Sequence, residues 1–161
     1  MVIHGAGKST LASYIFTELK VKGFEAELVH DVAKDLVWEE DWKALNNQMY
    51  VFANQLQYLD KLVGKVEYVI TDSPLLLQIG YYKERQQPAQ KHFKKLCIAY
   101  ANRYNNINIF LKSNKDVSPI GRAEMSLNPM KYLSSMPYDL IADCTKREEI
   151  LQYILDRRNN E

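Results

Sequence analysis

The sequence predicts an α/β fold in three layers, a parallel sheet of about five strands with helices on both faces. Two observations predict it. Short apolar runs alternate along the chain with longer stretches of helical period, as strands joined by crossover helices require. The first such run is followed at once by a glycine-rich turn and an amphipathic stretch, so strand, loop and helix come in that order.

Val2 to His4 reads as the stub of a first buried strand. Ser9 to Lys22 reads as a helix, with Leu11, Tyr14, Ile15 and Leu19 at helical spacing and Gly23 as its stop. Glu25 to His30 is a short second strand, and Asp31 opens a polar-amphipathic stretch to about Leu45. A longer helix runs from Gln48 to Val63, with Phe52, Leu56 and Leu59 on one face and Gly64 after its end. Tyr68 to Thr71 is an apolar strand that stops at Asp72, and Pro74 separates it from the next segment. Gln87 to Tyr104 is helical around Phe93, Leu96, Cys97 and Tyr100, and Ile107 to Leu111 is a buried strand. Periodicity is lost from Ser113 to Met136, a lid-like segment carrying Pro119, Gly121, Pro129 and Ser134. Tyr138 to Ala142 closes the sheet and Glu148 to Arg157 closes the chain, with no repeat or linker to divide it: one domain, 1–161.

Composition narrows the function classes. Apolar residues at 47% and charged residues at 25% are the balance of a globular protein. A formal net charge of +1 gives no general basic field for nucleic acid. No apolar run approaches the roughly 18 residues that span a bilayer, and no secretory signal precedes the first motif. Cys97 and Cys144 stand alone, outside any Cys-x-x-Cys pair, and read as reduced thiols of a cytoplasmic protein without zinc or disulfides.

The chemistry concentrates at Gly5-Ala6-Gly7-Lys8-Ser9-Thr10. Glycines let backbone N–H groups approach phosphate oxygens, and the helix after them adds its positive end. Lys8 would reach the β- and γ-phosphates of ATP or GTP, and the Ser9 hydroxyl would ligate Mg²⁺. In the full pattern G-x-x-x-x-G-K-[ST], Val2 takes the place of the first Gly. Val69-Ile70-Thr71-Asp72 has the form of a Walker-B strand, placing Asp72 to hold a Mg²⁺-bound water beside Ser9. The expected architecture is thus the three-layer P-loop NTPase fold.

Position along the chain marks other candidates. Asp31 comes after the second strand as Lys8 comes after the first; it either accepts a proton from a substrate hydroxyl or caps the next helix. Asn46, Asn47, Gln48 and Gln55 either read a base or ribose edge or, as amides near a helix start, cap it. Arg122, in the aperiodic stretch, would close over the phosphates and stabilise transferred charge. Lys83 and Arg85 would meet an acceptor phosphate, although Arg85 reads better as a solvated surface group.

These runs carry a resemblance. The phosphate loop, Glu27-Leu28-Val29, Val32-Ala33-Lys34-Asp35-Leu36, Asn47 to Phe52 and Ile70 to Leu77 look like a small P-loop ATPase/kinase family common in bacteriophage genomes. That family is similar to nicotinamide riboside kinases and, more distantly, to adenylate-kinase-type enzymes. The resemblance covers residues 1 to about 112, with Gly121-Arg122 and Pro137-Tyr138 matching more thinly beyond. It implies ATP and Mg²⁺ as cofactors and a nucleoside- or nucleotide-like acceptor. It marks Lys8, Asp31 and Arg122 as catalytic, and Ser9 and Asp72 as metal ligands. Some phage kinases act on hydroxymethylated bases, so DNA stays open as an acceptor. The rival expectation is a nucleotide-binding regulator or slow NTPase that passes no phosphoryl group on, and a third is an inactive relative with a damaged phosphate loop.

Overall fold

The computed structural model describes residues 7–112 and 138–159. Helix α1 (Lys8–Val21) buries Leu11, Ala12, Ile15 and Leu19, the stripe that its period requires. Gly23 ends it with φ 87°, and two hydrogen bonds close the turn, Gly23 N–H to the Lys20 carbonyl and Phe24 N–H to the Leu19 carbonyl, each 3.0 Å. That left-handed cap is cheap only for glycine.

Strand β1 (Ala26–Val29) leads to α2 (Val32–Trp38) and α3 (Trp42–Asn46), so the polar stretch after Asp31 is two short helices. Each begins on an acidic cap: Asp31 accepts from Ala33 N–H and Asp41 from Ala44 N–H. Asn47 then caps α4 (Gln48–Asp60), accepting from Tyr50 N–H at 3.3 Å. Strand β2 (Tyr68–Thr71) is followed by α5 (Leu77–Glu84), a helix that no expectation covered, and by α6 (Gln90–Ala101). Strands β3 (Ile109–Leu111) and β4 (Leu140–Ala142) and helix α7 (Arg147–Asn159) complete the described elements.

Among the described residues the expected three-layer P-loop NTPase fold with its five-stranded parallel sheet is not what is found. The described residues are helix-rich, 56%, and their strands make two separate two-stranded parallel sheets, β1–β2 and β3–β4. At the start of each sheet one backbone N–H is taken by a carboxylate while the carbonyl of the same residue still bonds across to the neighbouring strand. Glu25 N–H donates to the Glu67 carboxylate at 2.9 Å, and β1 starts one residue later than its apolar pattern. Asn108 N–H donates to the Asp139 carboxylate at 2.7 Å at the start of β3 and β4, which are three residues each. Strands that short offer few ladder bonds, and among the described residues none links β2 to β3. A cavity of about 250 Å³ is lined, among the described residues, by α1, β2, the segment leading into β3, and β3 itself. The expected strand Val2 to His4 and the lid-like segment 113–136 lie outside the described residues.

The core is correspondingly divided. One cluster joins α4, α5 and α6, where Tyr82 stacks on Phe93 at 3.9 Å and Phe52 meets the same ring edge-on at 5.5 Å. Such pairs add about 0.5–1.5 kcal/mol beyond burial. A second cluster packs α1 against Leu111, Ala142 and the Ile150, Leu151 and Ile154 face of α7. A third, smaller one closes α2 and α3 over Val51 of α4. Leu96 and Tyr100 pack against the first cluster while only partly buried.

Candidate functional site

The site is assembled where α1 begins and where β1 and β2 end. Gly7 takes φ 78°, which turns the chain directly into α1, and among the described residues no side chain caps that helix. No acidic residue stands in its first turn. A Cβ at Gly7 would lie 2.9 Å from the Sγ of Cys144, so both backbone angle and space call for glycine. The loop after β4 therefore rests on the turn that precedes Lys8.

Two expected metal residues are brought together. The Ser9 hydroxyl donates a short hydrogen bond to the Asp72 carboxylate, although the residues are 63 positions apart. Lys8 lines the cavity beside β2 together with Thr71 and Asp72. Thr10 is exposed in the first turn of α1. Gly5 and Ala6, expected in the same loop, and Arg122, expected over the phosphates, lie outside the described residues.

Asp31 fulfils its capping alternative, accepting from Ala33 N–H at 3.0 Å. Its surroundings add more than a cap needs. Burial pushes its carboxyl above the ordinary aspartate range, and the Asp72 charge adds to that. Hydrogen bonds from the Ser73 hydroxyl and Ala33 N–H, and the Lys8 charge, pull the other way. Asp72 and Lys8 both lie within electrostatic reach of Asp31.

The amides separate into different roles. Asn47 is a cap, and Gln48 donates to the Leu45 carbonyl at 2.9 Å. Asn46 accepts from Arg85 Nε at 3.2 Å. Arg85 is consequently half-buried, its guanidinium 5.7 Å from the Tyr81 ring, and is not the solvated group expected. Gln55, fully buried, accepts from Val32 N–H at 3.2 Å and donates to the His30 carbonyl at 3.2 Å and the Thr71 hydroxyl at 3.4 Å. Ser73 is the group that the sequence did not single out. It is buried, its N–H donates to Thr71 Oγ1 at 3.1 Å, and its hydroxyl accepts from the Gln78 amide at 3.5 Å. Its only signal was its place between Asp72 and Pro74.

The donor set fits Mg²⁺ rather than a softer metal. It offers a hydroxyl and a carboxylate, both hard oxygen donors, with a second carboxylate nearby. Among the described residues no group of three or more His, Cys, Asp or Glu forms a metal cage. Mg²⁺ does not need one, because it keeps several waters and completes its shell with substrate phosphate oxygens. Both cysteines are free; burial pushes the Cys97 thiol up to about 12. Among the described residues no helix is long and apolar enough to cross a membrane. No protein-family model matches the sequence, and no curated protein matches it either.

Proposed function

We propose that this chain is an ATP- and Mg²⁺-dependent phosphotransferase acting on a nucleoside- or nucleotide-like acceptor in the cytoplasm. The observation that carries the proposal is the Ser9–Asp72 contact at the uncapped start of α1, with Lys8 and Asp31 in electrostatic reach. The reading rests on this local constellation and on the motif resemblance, and needs no five-stranded sheet.

In this reading the N–H groups at the start of α1 receive phosphate oxygens, and Lys8 neutralises charge on the β- and γ-phosphates. Ser9 and Asp72 would hold Mg²⁺, which when bound neutralises charge developing on the transferred group. Asp31 stands just after β1, within electrostatic reach of Asp72 and Lys8. A carboxyl whose proton affinity is raised by burial is a stronger base, suited to take a proton from an acceptor hydroxyl. Arg122 enters on its sequence position alone, as the cation closing over the phosphates.

The test is turnover of ATP labelled in the γ-phosphate against a panel of nucleosides, nucleotides, nicotinamide riboside and hydroxymethylated DNA. Label in an acceptor supports the phosphotransferase and names its acceptor class. Label found only in free phosphate replaces it with a slow NTPase or nucleotide-binding regulator.

A further inference from the structure

Helix α4 presents an apolar face of Val51, Phe52 and Leu59 to the interior, and Gln55 interrupts it. A buried primary amide is costly unless its donors and acceptor are met. Here they are met by one set of groups. Its oxygen accepts from Val32 N–H and its nitrogen donates to the His30 carbonyl, the two backbone groups that flank Asp31. The same nitrogen donates to the Thr71 hydroxyl, one residue before Asp72, and that hydroxyl also accepts from Ser73 N–H. One side chain on a third element therefore touches both turns that carry the site's carboxylates.

That arrangement opposes a real force. Asp31 and Asp72 carry like charge, and each would gain by moving away from the other. The β1–β2 ladder pairs Val29 with Thr71 as its last register, so beyond those residues no strand pairing holds the two turns together. From that point the Ser73 hydroxyl bond to Asp31 and the amide of Gln55 make the connection, and only the amide reaches the backbone on both sides of Asp31.

We propose that Gln55 is a positioning residue that ties the turn after β1 to the turn after β2 and so fixes the spacing between Asp31 and Asp72. It touches no reacting atom. The functional meaning of that spacing rests on the phosphotransferase reading, in which one carboxylate serves the metal and the other the acceptor; the tie itself is independent of it.

Two variants separate a tie from ordinary core packing. Gln55→Leu keeps apolar volume and removes all three bonds. Thr71→Val removes the β2-side anchor together with the Ser73 N–H bond to the same hydroxyl, leaves both Gln55 bonds beside Asp31, and its β-branched shape suits a strand. The first measurement is amide hydrogen exchange of the ligand-free protein, residue by residue. Gln55→Leu should speed Val32 N–H exchange about tenfold or more. Thr71→Val should speed the same amide several-fold while the melting temperature stays near wild type, although Val32 is on the other turn. Unchanged Val32 exchange in Thr71→Val would overturn the tie, and this variant decides the matter even if Gln55→Leu does not fold.

The second measurement uses Mn²⁺ with ATP as a paramagnetic probe. In wild type, signals of Ser9 and of residues 31–33 should both broaden. In Thr71→Val, broadening at Ser9 should persist while that at 31–33 falls at least twofold, because the spacing is no longer fixed. Equal broadening of 31–33 in both proteins would also overturn the inference. If Ser9 does not broaden even in wild type, the metal reading fails, and the exchange result alone rules on the tie.

Discussion

Replacing Asp31 by Asn should make the protein more stable and less active at the same time. As a cap, Asn serves nearly as well as Asp, so the Ala33 N–H contact changes stability by only about a few tenths of a kcal/mol. The charge is another matter. Burial and Asp72 raise the proton affinity of Asp31 in the folded state above its ordinary value of 3.8. The folded protein then holds a proton more tightly than the unfolded chain, and ionised Asp31 subtracts from stability once pH exceeds that ordinary value. The loss grows until pH passes the raised folded value and is constant above it. Asp31→Asn removes the penalty, so its melting temperature at pH 7 should exceed wild type, and the advantage should shrink to nothing as pH falls below about 4. Phosphoryl transfer should fall about 10²-fold or more, roughly 2.7 kcal/mol in barrier, with ATP affinity little changed. Asp31→Ala provides the control, since it also loses the cap and should sit about 1 kcal/mol below the Asn variant. Calorimetric melting across pH and a transfer assay on the same preparations settle it. Unaltered transfer to a confirmed acceptor refutes the base, and a melting temperature below wild type at pH 7 refutes the electrostatics.

The other expectations concern the start of α1 and its partners. Lys8→Ala should weaken Mg-ATP binding by about 1.5–3 kcal/mol, the range for hydrogen bonds to charged groups; equal affinity by titration calorimetry would remove Lys8 from the site. Asp72→Asn should lower turnover and raise the Mg²⁺ concentration needed for half-maximal rate, while the ligand-free melting temperature does not fall. A large drop in stability with normal activity would return Asp72 to a purely structural role. Gly7→Ala should cost about 1–2 kcal/mol for its left-handed angle, plus the collision with Cys144. Pairing it with Cys144→Ala should recover the collision part only, so a double variant no more stable than Gly7→Ala would show that the contact does not matter.

The local patterns were legible because one side chain at a time decided them. The stripe of Leu11, Ile15 and Leu19 and the stop at Gly23 gave α1, and the apolar run ending at Asp72 gave β2 with its terminal carboxylate beside Ser9. The ends of the sheets were not legible, because partners distant in sequence meet there. The carboxylates of Glu67 and Asp139 claim the N–H groups of Glu25 and Asn108 from across the fold, and no local pattern announces such partners. Helix α5 was missed for a related reason. Leu77 to Tyr82 is buried on every side, so its residues show no periodic contrast between wet and dry faces. Gln55 was seen as an amide on a helix, but its bonds reach backbone 23 and 25 residues away and a hydroxyl 16 residues away, beyond the reach of local pattern.

The hydrogen bond between Ser9 and Asp72 closes a loop of 63 residues, and that has a consequence for how the chain acquires activity. Helices such as α1, α4 and α6 can begin to form from neighbouring residues within about a microsecond. Contacts between distant segments come later, after the entropy of loop closure has been met. Lys8 and Ser9, Asp31, and Asp72 belong to segments that meet only through such closures, so a partly folded chain would have all its helices and no phosphate site. Nucleotide would then recognise only the finished molecule and would hold it there, adding about 2.7 kcal/mol at a hundred times its dissociation constant. On the phosphotransferase reading, supply of substrate would thus favour the completed fold over the partly folded chain.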